Sequence, residues 1–308
     1  MKKVLITGAT SFIGVSLIKH LLPLKYEIYA MLRPDSPNIS RLREFNNIKS
    51  IYLDMEEISK LQSFIKEIDI CVHLAWNGTR ANGRLDENLQ HKNYLSSIEL
   101  YEVVKKLGCG TFLGIGSQAE YGVCKDLITE NTLTSPNTSY GRYKLKTCND
   151  IMVLCRDNGI RFIWGRVFSI YGKGDNENTL IMSTIRRMLK NENINMTEGT
   201  QFWNYLYVED LAKLLVILMK NEDANGIYNL ASDDTRTLRE YILELKSILK
   251  SESKINFGVI PYGKEGKVSM KPSIHKLKSI LRKYKFIKFK DGINSIISQS
   301  KNNNLIMS

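Results

Sequence analysis

A short apolar strand that leads directly into a glycine-rich turn begins the chain, and this feature limits the possible folds more than any other. Residues 3–7 have the pattern of a β-strand, and residues 12–22 have the pattern of a helix. The turn between them reads Thr7-Gly8-Ala9-Thr10-Ser11-Phe12-Ile13-Gly14. Such a turn lets backbone N–H groups approach a pyrophosphate at the positive end of the helix dipole, so it predicts a dinucleotide-binding βα unit.

Strand and helix patterns then alternate up to residue 167. Further strands are predicted at 27–32, 49–53, 70–75, 111–117 and 161–167, and helices at 57–66, 87–106 and 140–158. Strands separated by helices pair in parallel, since each connection has to cross back over the sheet. We therefore predict an α/β fold with a Rossmann-like, doubly wound parallel sheet.

The pattern loosens in the second half of the chain. Helices are predicted at 180–190, 208–221, 237–250 and 273–281, with short strands near 194–196, 226–229 and 254–259. We predict that residues 1–172 form the dinucleotide-binding domain and that residues 173–308 form a smaller C-terminal α/β lobe. This lobe is expected to bind the substrate and to be interleaved with the first domain.

The charge and the cysteine content of the chain indicate which partners and which kinds of site to expect. The chain carries 44 Lys and Arg against 32 Asp and Glu, a net charge of +12 that favours anionic partners. The basic residues are not gathered in one arm, so we expect a phosphate-rich small molecule and no nucleic acid. Five cysteines without a CxxC pair and four histidines without ligand spacing predict no metal site. No apolar run approaches the roughly 18 residues that span a membrane, so we expect a cytoplasmic protein without a membrane partner.

A tyrosine and a lysine four residues apart suggest proton-transfer chemistry. Tyr140 and Lys144 lie on one face of a predicted helix. A nearby ammonium favours the phenolate and lowers the pKa of a phenol from its usual value of about 10. Ser117 ends the predicted fifth strand, where a doubly wound sheet holds its ligands. We therefore predict that Ser117, Tyr140 and Lys144 are the catalytic residues.

Several motifs, in order along most of the chain, resemble those of the extended short-chain dehydrogenase/reductase family. Residues 7–14 resemble its TGxxGxxG turn, with Ser11 in place of the middle glycine, a small residue whose hydroxyl could face a phosphate. His73-Leu74-Ala75 looks like its fourth-strand motif, Asn93 like its structural asparagine, and Asp54 like the residue that meets the adenine. The resemblance implies a Ser–Tyr–Lys triad that transfers a hydride between nicotinamide and a carbonyl or alcohol carbon. In that triad the lysine also holds the ribose and tunes the tyrosine.

The end of the second strand indicates which cofactor is bound. The acid that usually meets the ribose hydroxyl is missing, and Arg33 stands there instead. An arginine suits a 2′-phosphate, so NADP(H) is favoured over NAD(H). With the family resemblance, the predicted cofactor site consists of Gly8, Thr10, Ser11, Phe12, Ile13, Gly14, Arg33, Asp54, Met55, Leu74, Ala75, Asn93, Tyr140, Lys144 and Val167.

Two departures from the family's pattern bear on the reaction and the substrate. Gln118 and Ala119 replace the Asp-Glu pair with which the family's sugar 4,6-dehydratases eliminate water, so dehydratase chemistry is not expected. Trp203 replaces a basic residue that often contacts a nucleotide diphosphate, so other cations such as Arg186, Lys264 or Lys267 would have to do so. The predicted substrate site consists of Ser117, Gln118, Ser169, Arg186, Trp203 and Lys264.

Residues 178–212 most resemble the nucleotide-sugar 4-ketoreductases that make 3,6-dideoxyhexoses, such as the paratose and abequose synthases. The resemblance implies NADPH-dependent reduction of a nucleotide-linked 4-keto-6-deoxy sugar in surface-polysaccharide precursor synthesis. It also implies a homodimer through the helices predicted at 87–106 and 140–158. The nearest alternative is a 4-epimerase with tightly bound NAD, against which Arg33 argues. An alternative of another class is a non-catalytic dinucleotide-binding regulator, against which the intact triad argues.

Overall fold

The fold is seen in a computed structural model that describes residues 1–263 and 267–302. Within them the strands are β1 (Lys2–Thr7), β2 (Tyr26–Leu32), β3 (Lys49–Tyr52), β4 (Ile70–His73), β5 (Thr111–Ser117), β6 (Arg161–Val167), β7 (Ser169–Tyr171), β8 (Ile194–Asn195), β9 (Phe202–Tyr207), β10 (Gly226–Leu230), β11 (Thr235–Thr237) and β12 (Ile255–Asn256). The α-helices are α1 (Phe12–Leu21), α2 (Glu87–Lys106), α3 (Ser139–Asp157), α4 (Leu180–Leu189), α5 (Val208–Lys220), α6 (Leu238–Leu249), α7 (His275–Leu281) and α8 (Phe289–Asn302).

One parallel sheet organises the larger part of the molecule. Its seven described strands lie in the order β3-β2-β1-β4-β5-β6-β10. The direction of winding reverses between β1 and β4, and a crevice for a ligand opens at the carboxyl ends of strands where this happens. The predicted doubly wound parallel sheet is therefore confirmed.

Helices cover both faces of the sheet because each presents one apolar stripe to it. Leu17, Ile18 and Leu21 of α1 pack with apolar residues of α5 on one face. On the other face, α2 and α3 bury a second cluster that includes Leu100 and Ile151. Since β10 and α5 come from the second half of the chain, that half contributes directly to the sheet and to its cover.

The smaller lobe is built around a separate aromatic core. Strands β11, β9 and β7 form a three-stranded sheet, and α6 and α8 pack near it. Tyr171, Tyr205, Tyr241 and Phe289 fill this core, with ring centroids 5.0 Å apart between Tyr205 and Tyr241. The lobe lies beyond the carboxyl end of β6, because β7 follows β6 after a single residue.

Some predicted elements differ from those observed. Residues 57–66 are not an α-helix; a 3-10 helix spans Met55–Ser63 and is kinked at Glu57, which has a non-helical φ of −114°. Asp54 begins this segment, and its side chain accepts a hydrogen bond from the backbone of Glu56. Strands β7, β9 and β11 and helix α8 were not predicted, because their short or mixed patterns become regular only through the lobe's own core.

Candidate active site

Two glycines shape the turn after β1, and the first of them lets the chain pass close to the end of β4. Gly8 has a left-handed φ of +68°, and a Cβ atom there would lie 2.9 Å from the backbone nitrogen of Ala75. A Cβ atom on Gly14 would lie 2.6 Å from the carbonyl oxygen of Ala9. Ser11, in contrast, has a φ of −70°, and its hydroxyl caps α1 by accepting a hydrogen bond from the Gly14 N–H at 3.1 Å. The turn thus keeps its shape with serine at the middle position.

A groove of about 190 Å³ opens at the carboxyl ends of β1 to β4, at the reversal of strand order. Among the residues predicted to hold a cofactor, those lining it are Gly8, Thr10, Ser11, Arg33, Asp54, Met55, Leu74, Ala75 and Asn93. Phe12, Ile13 and Gly14 form the start of α1, and Val167 is buried at the end of β6, opposite Ser117. The groove also contains Ser36, Trp76 and Asn77, which the sequence did not single out.

The end of β2 forms a corner of the groove with hydrogen-bond donors, and Asp54 lines the groove from the end of the neighbouring β3. The guanidinium of Arg33 is exposed there, and Asn38 lies beside it. The Ser36 hydroxyl is buried and lies 3.1 Å from the hydroxyl of Thr10. Hydroxyls and a guanidinium are suitable partners for a phosphate. Together with the closed glycine turn, this corner fits the phosphates of a dinucleotide.

A buried histidine fixes the end of β4. The Thr7 hydroxyl accepts hydrogen bonds from the backbone N–H groups of Leu74 and Ala75, both at 3.2 Å, so its own hydrogen points to His73 Nδ1, 2.9 Å away. His73 Nε2 then donates to the Ser97 hydroxyl at 2.9 Å. Burial lowers the pKa of His73 to about 3, so the ring is neutral at physiological pH. His73 therefore supports the floor of the groove rather than carrying a proton.

The three predicted catalytic residues lie around the end of β5. Tyr140 and Lys144 belong to the buried stripe of α3, which continues through Cys148 and Ile151 along the sheet. This stripe brings both side chains to the carboxyl end of the sheet, where Ser117 ends β5. Burial raises the pKa of Tyr140, and the nearby Ser117 hydroxyl lowers it in part.

The ammonium of Lys144, which is expected to lower the pKa of Tyr140, contacts other groups. Its Nζ donates to the carbonyl oxygen of Ile115 at 2.6 Å and lies 3.8 Å from the ring centroid of Trp76. Burial lowers the pKa of Lys144 to about 7, and the charge of Glu120 partly opposes that fall. The cation that faces the Tyr140 ring is instead Arg84, with its guanidinium carbon 4.6 Å from the ring centroid. The Lys144 ammonium thus contacts a strand carbonyl and the indole of Trp76, and its role toward Tyr140 and the ribose stays a prediction.

The predicted substrate residues are more dispersed. Gln118 follows Ser117 directly, and Ser169 begins β7, so both lie near the end of the sheet. Arg186 on α4 pairs with Glu177 at 3.5 Å, and its cation therefore already has a partner. Trp203 on β9 pairs with Arg236 across the small sheet, and its buried Nε1 has no hydrogen-bond partner in the part of the chain described. Lys264 lies outside the described residues.

The described residues form neither a metal-binding cluster nor a membrane-spanning helix. They contain no group of three or more His, Cys, Asp or Glu side chains arranged to hold a metal ion. None of their helices is both long and apolar enough to cross a membrane.

Comparison with known proteins agrees with this geometry. Residues 4–231 match the model of the NAD dependent epimerase/dehydratase family. The chain is similar to the CDP-abequose synthase of Salmonella muenchen, with 26% identity over 84% of this chain and 85% of that protein. It is also similar to a putative UDP-glucose 4-epimerase of Methanocaldococcus jannaschii, with 28% identity over 98% and 99%. Its fold matches the UDP-glucose 4-epimerase of Thermotoga maritima, with a TM-score of 0.87, 19% identity, and 98% and 99% coverage.

Proposed function

The chain belongs to the NAD-dependent epimerase/dehydratase family of nucleotide-sugar enzymes, and we propose that it reduces the 4-keto group of a nucleotide-linked 4-keto-6-deoxy or 3,6-dideoxy hexose with NADPH. The product would be a precursor for a surface polysaccharide. The observation that carries the proposal is an intact Ser117, Tyr140 and Lys144 set beside Gln118 and Ala119, which have no carboxylate for dehydration. Similarity to a CDP-abequose synthase over most of both chains supports the same subgroup.

Each side chain of the set has a defined task in this proposal. Tyr140 gives its proton to the oxygen on carbon 4, and Ser117, whose hydroxyl is near enough to lower the pKa of Tyr140, orients that oxygen. Lys144 holds the ribose of the cofactor through N–H donors other than the one that binds the carbonyl of Ile115. When bound, NADPH supplies the hydride to carbon 4. Hydride and proton together convert the carbonyl into a hydroxyl, and water is neither consumed nor released.

The preference for NADPH is part of the proposal. A nicotinamide dinucleotide is supported by the family and by the fit of the groove, whereas the choice of the phosphorylated form depends on Arg33 and Ser36. A guanidinium and a buried hydroxyl are both able to donate hydrogen bonds to a 2′-phosphate.

We also propose that two copies associate through α2 and α3 and that the enzyme works in the cytoplasm. Leu95 on α2 and Met152 and Val153 on α3 are exposed apolar side chains on these helices. Association of two copies would remove them from water. All five cysteines are free, as expected in a reducing compartment.

Epimerisation at carbon 4 is the second candidate, favoured by the similarity to a putative UDP-glucose 4-epimerase over nearly the whole chain. The deciding experiment mixes the purified protein with NADPH and with CDP-, dTDP-, GDP- or UDP-linked 4-keto-6-deoxy sugars. A reductase consumes one NADPH for each sugar reduced. Interconversion of two 4-hydroxy sugars without net NADPH consumption would establish the epimerase instead. Release of a 4-keto-6-deoxy product from a 6-hydroxylated nucleotide sugar would overturn the reductase proposal.

A further inference from the structure

The loop after β4 is bound to α2 by Asn93, which contacts Asn77, and by the buried Gln90. Gln90 on α2 donates through Nε2 to the carbonyl oxygens of Gly78 at 3.0 Å and Gly83 at 2.7 Å. Its Oε1 accepts a hydrogen bond from Trp76 Nε1 at 2.7 Å. Because Gln90 is fully buried and binds the loop at both ends, the residue after Gly83 is fixed relative to α2. That residue is Arg84.

The two arginines of this loop have different surroundings. Arg80 pairs with Asp175 at 3.2 Å, an acid that is almost fully buried. The side chain of Arg84 is half-buried, and it makes no hydrogen bond or ion pair with any residue in the ranges 1–263 and 267–302. Its guanidinium lies over the ring of Tyr140 instead, with 4.6 Å between the guanidinium carbon and the ring centroid. A cation over an aromatic face is attracted to the ring, and it is attracted more strongly when the ring carries negative charge.

Groups from several elements surround Tyr140 and determine the direction in which its pKa shifts. Burial raises the pKa of Tyr140 most, and from the end of β5 the Ser117 hydroxyl lowers it while the charge of Glu120 raises it. From the loop after β4, the positive charge of Arg84 lowers it. From α3 itself, Lys144 points to the Ile115 carbonyl and to Trp76. His73 below is neutral. Among the described residues, Arg84 is therefore the cation placed to lower the pKa of the Tyr140 phenol.

We propose that Arg84 is a positioning residue for the reaction: its guanidinium holds the Tyr140 ring and stabilises the phenolate left when the tyrosine releases its proton. This inference rests on the proposed role of Tyr140 as the proton donor. In the step, the O–H bond of Tyr140 breaks and a new O–H bond forms at the oxygen on carbon 4. The electron pair stays on the tyrosine oxygen beside the cation until solvent returns a proton.

The first experiment follows Tyr140 ionisation without any substrate. Protein is prepared with tyrosine that is isotope-labelled at the ζ carbon, and the Tyr140 resonance is assigned by its loss in Tyr140→Phe. We expect Arg84→Gln to move the ionisation of Tyr140 to higher pH and Arg84→Lys to restore most of the wild-type behaviour. Arg80→Gln, the same change in the same loop, should leave the Tyr140 resonance unmoved.

The second experiment measures turnover with a verified substrate. General acid catalysis is worth about 10²–10⁴-fold, so partial loss of its support in Arg84→Gln should lower kcat about 10-fold with little change in KM. The fall of kcat at alkaline pH should also move to higher pH. An unchanged Tyr140 titration would overturn the inference. So would a raised KM with unchanged kcat, since that would make Arg84 a plain substrate contact. Because the titration needs no substrate, its failure is distinct from failure of the proposed reaction.

Discussion

Glu120 accepts a hydrogen bond from the backbone N–H of Ser117 at 2.8 Å, while the Ser117 hydroxyl accepts one from the backbone of Ala119. Glu120 is completely buried, and its carboxylate also receives Trp164 Nε1 at 3.1 Å and Arg166 Nε at 2.7 Å from β6. The end of β5 is therefore tied to β6 by one buried ion pair. This tie fixes the direction in which Ser117 points.

Removing this carboxylate should destabilise the whole protein. Glu120→Ala leaves the buried charge of Arg166 without a partner, and breaking a buried pair in this way typically costs about 3–5 kcal/mol. Urea unfolding measures the loss. Glu67→Ala removes the acid of the exposed Lys3 pair and is the control, expected to change the midpoint little. Equal stability of both variants would show that Arg166 finds other partners.

Tyr140→Phe should lower turnover about 10²–10⁴-fold, because it removes only the hydroxyl that donates the proton. Folding and NADPH affinity should stay close to wild type. Tyr143→Phe is the matched control, since the Tyr143 ring stacks against His91 with centroids 5.5 Å apart and does not face Ser117. Steady-state kinetics on a substrate found in the screen gives both values. A fully active Tyr140→Phe would end the assignment of this tyrosine as the acid.

The sequence predicts those parts of the site whose geometry is local. The Gly8 turn follows β1 directly, and four residues of helix place Tyr140 and Lys144 on one face, so short patterns are sufficient. The partners of Glu120 are not local, since Arg166 lies 46 residues further along the chain. In the sequence, a glutamate in the turn after a strand looks the same whether it is buried or exposed.

The direction of Lys144 illustrates the same limit. Its position follows from the spacing in α3, but its contacts depend on Trp76 in another loop, which Gln90 on α2 holds in place. Arg84 was not predicted for the same reason: a basic residue in a polar loop is indistinguishable by sequence from solvated surface. The fold class and the local motifs were predictable, whereas contacts between distant elements were not.

Arg33→Asp should reverse or erase the preference for NADPH. The change replaces a donor at the end of β2 with a charge that repels a 2′-phosphate, and a hydrogen bond to a charged group is worth about 1.5–3 kcal/mol, or about 10- to 100-fold in affinity. Titration of NADPH and NADH binding measures the effect. Arg43→Asp changes an exposed arginine that does not line the groove and should preserve the preference. Tighter NADH binding by the wild-type protein would contradict the reading of this corner.

Charged residues on the exposed apolar face of α2 and α3 should prevent association of two copies. In a Leu95→Glu, Val153→Glu double variant, a carboxylate would be buried at the proposed interface, which is unfavourable without a partner. Light scattering after gel filtration should then give a monomer, whereas we expect a dimer for wild type. Leu189→Glu changes an exposed leucine on α4 and should remain dimeric. A wild-type monomer at high concentration would remove the dimer proposal.

Lys144→Met should make the cofactor-free protein more stable and the enzyme less active. The ammonium of Lys144 is buried, and the pKa is lowered from 10.5 to about 7 in the folded state. At or below pH 7 both states carry the charge, so folding bears its full desolvation cost. Between pH 7 and 10.5 the unfolded chain binds more protons, so the stability of wild type rises with pH.

Because methionine has no charge to bury, the Tm of Lys144→Met should exceed that of wild type. The difference should be largest at pH 7 or below and should vanish near pH 10.5. Thermal unfolding of the cofactor-free protein across this range measures it. Turnover and NADPH affinity should both fall, because the proposed contact with the ribose is lost. Lys146→Met, two residues along α3, removes an exposed lysine paired with Asp150 at 2.8 Å and should show no such pH-dependent gain. If Lys144→Met were less stable at pH 7, the contacts with Trp76 and the Ile115 carbonyl would outweigh the desolvation of the ammonium.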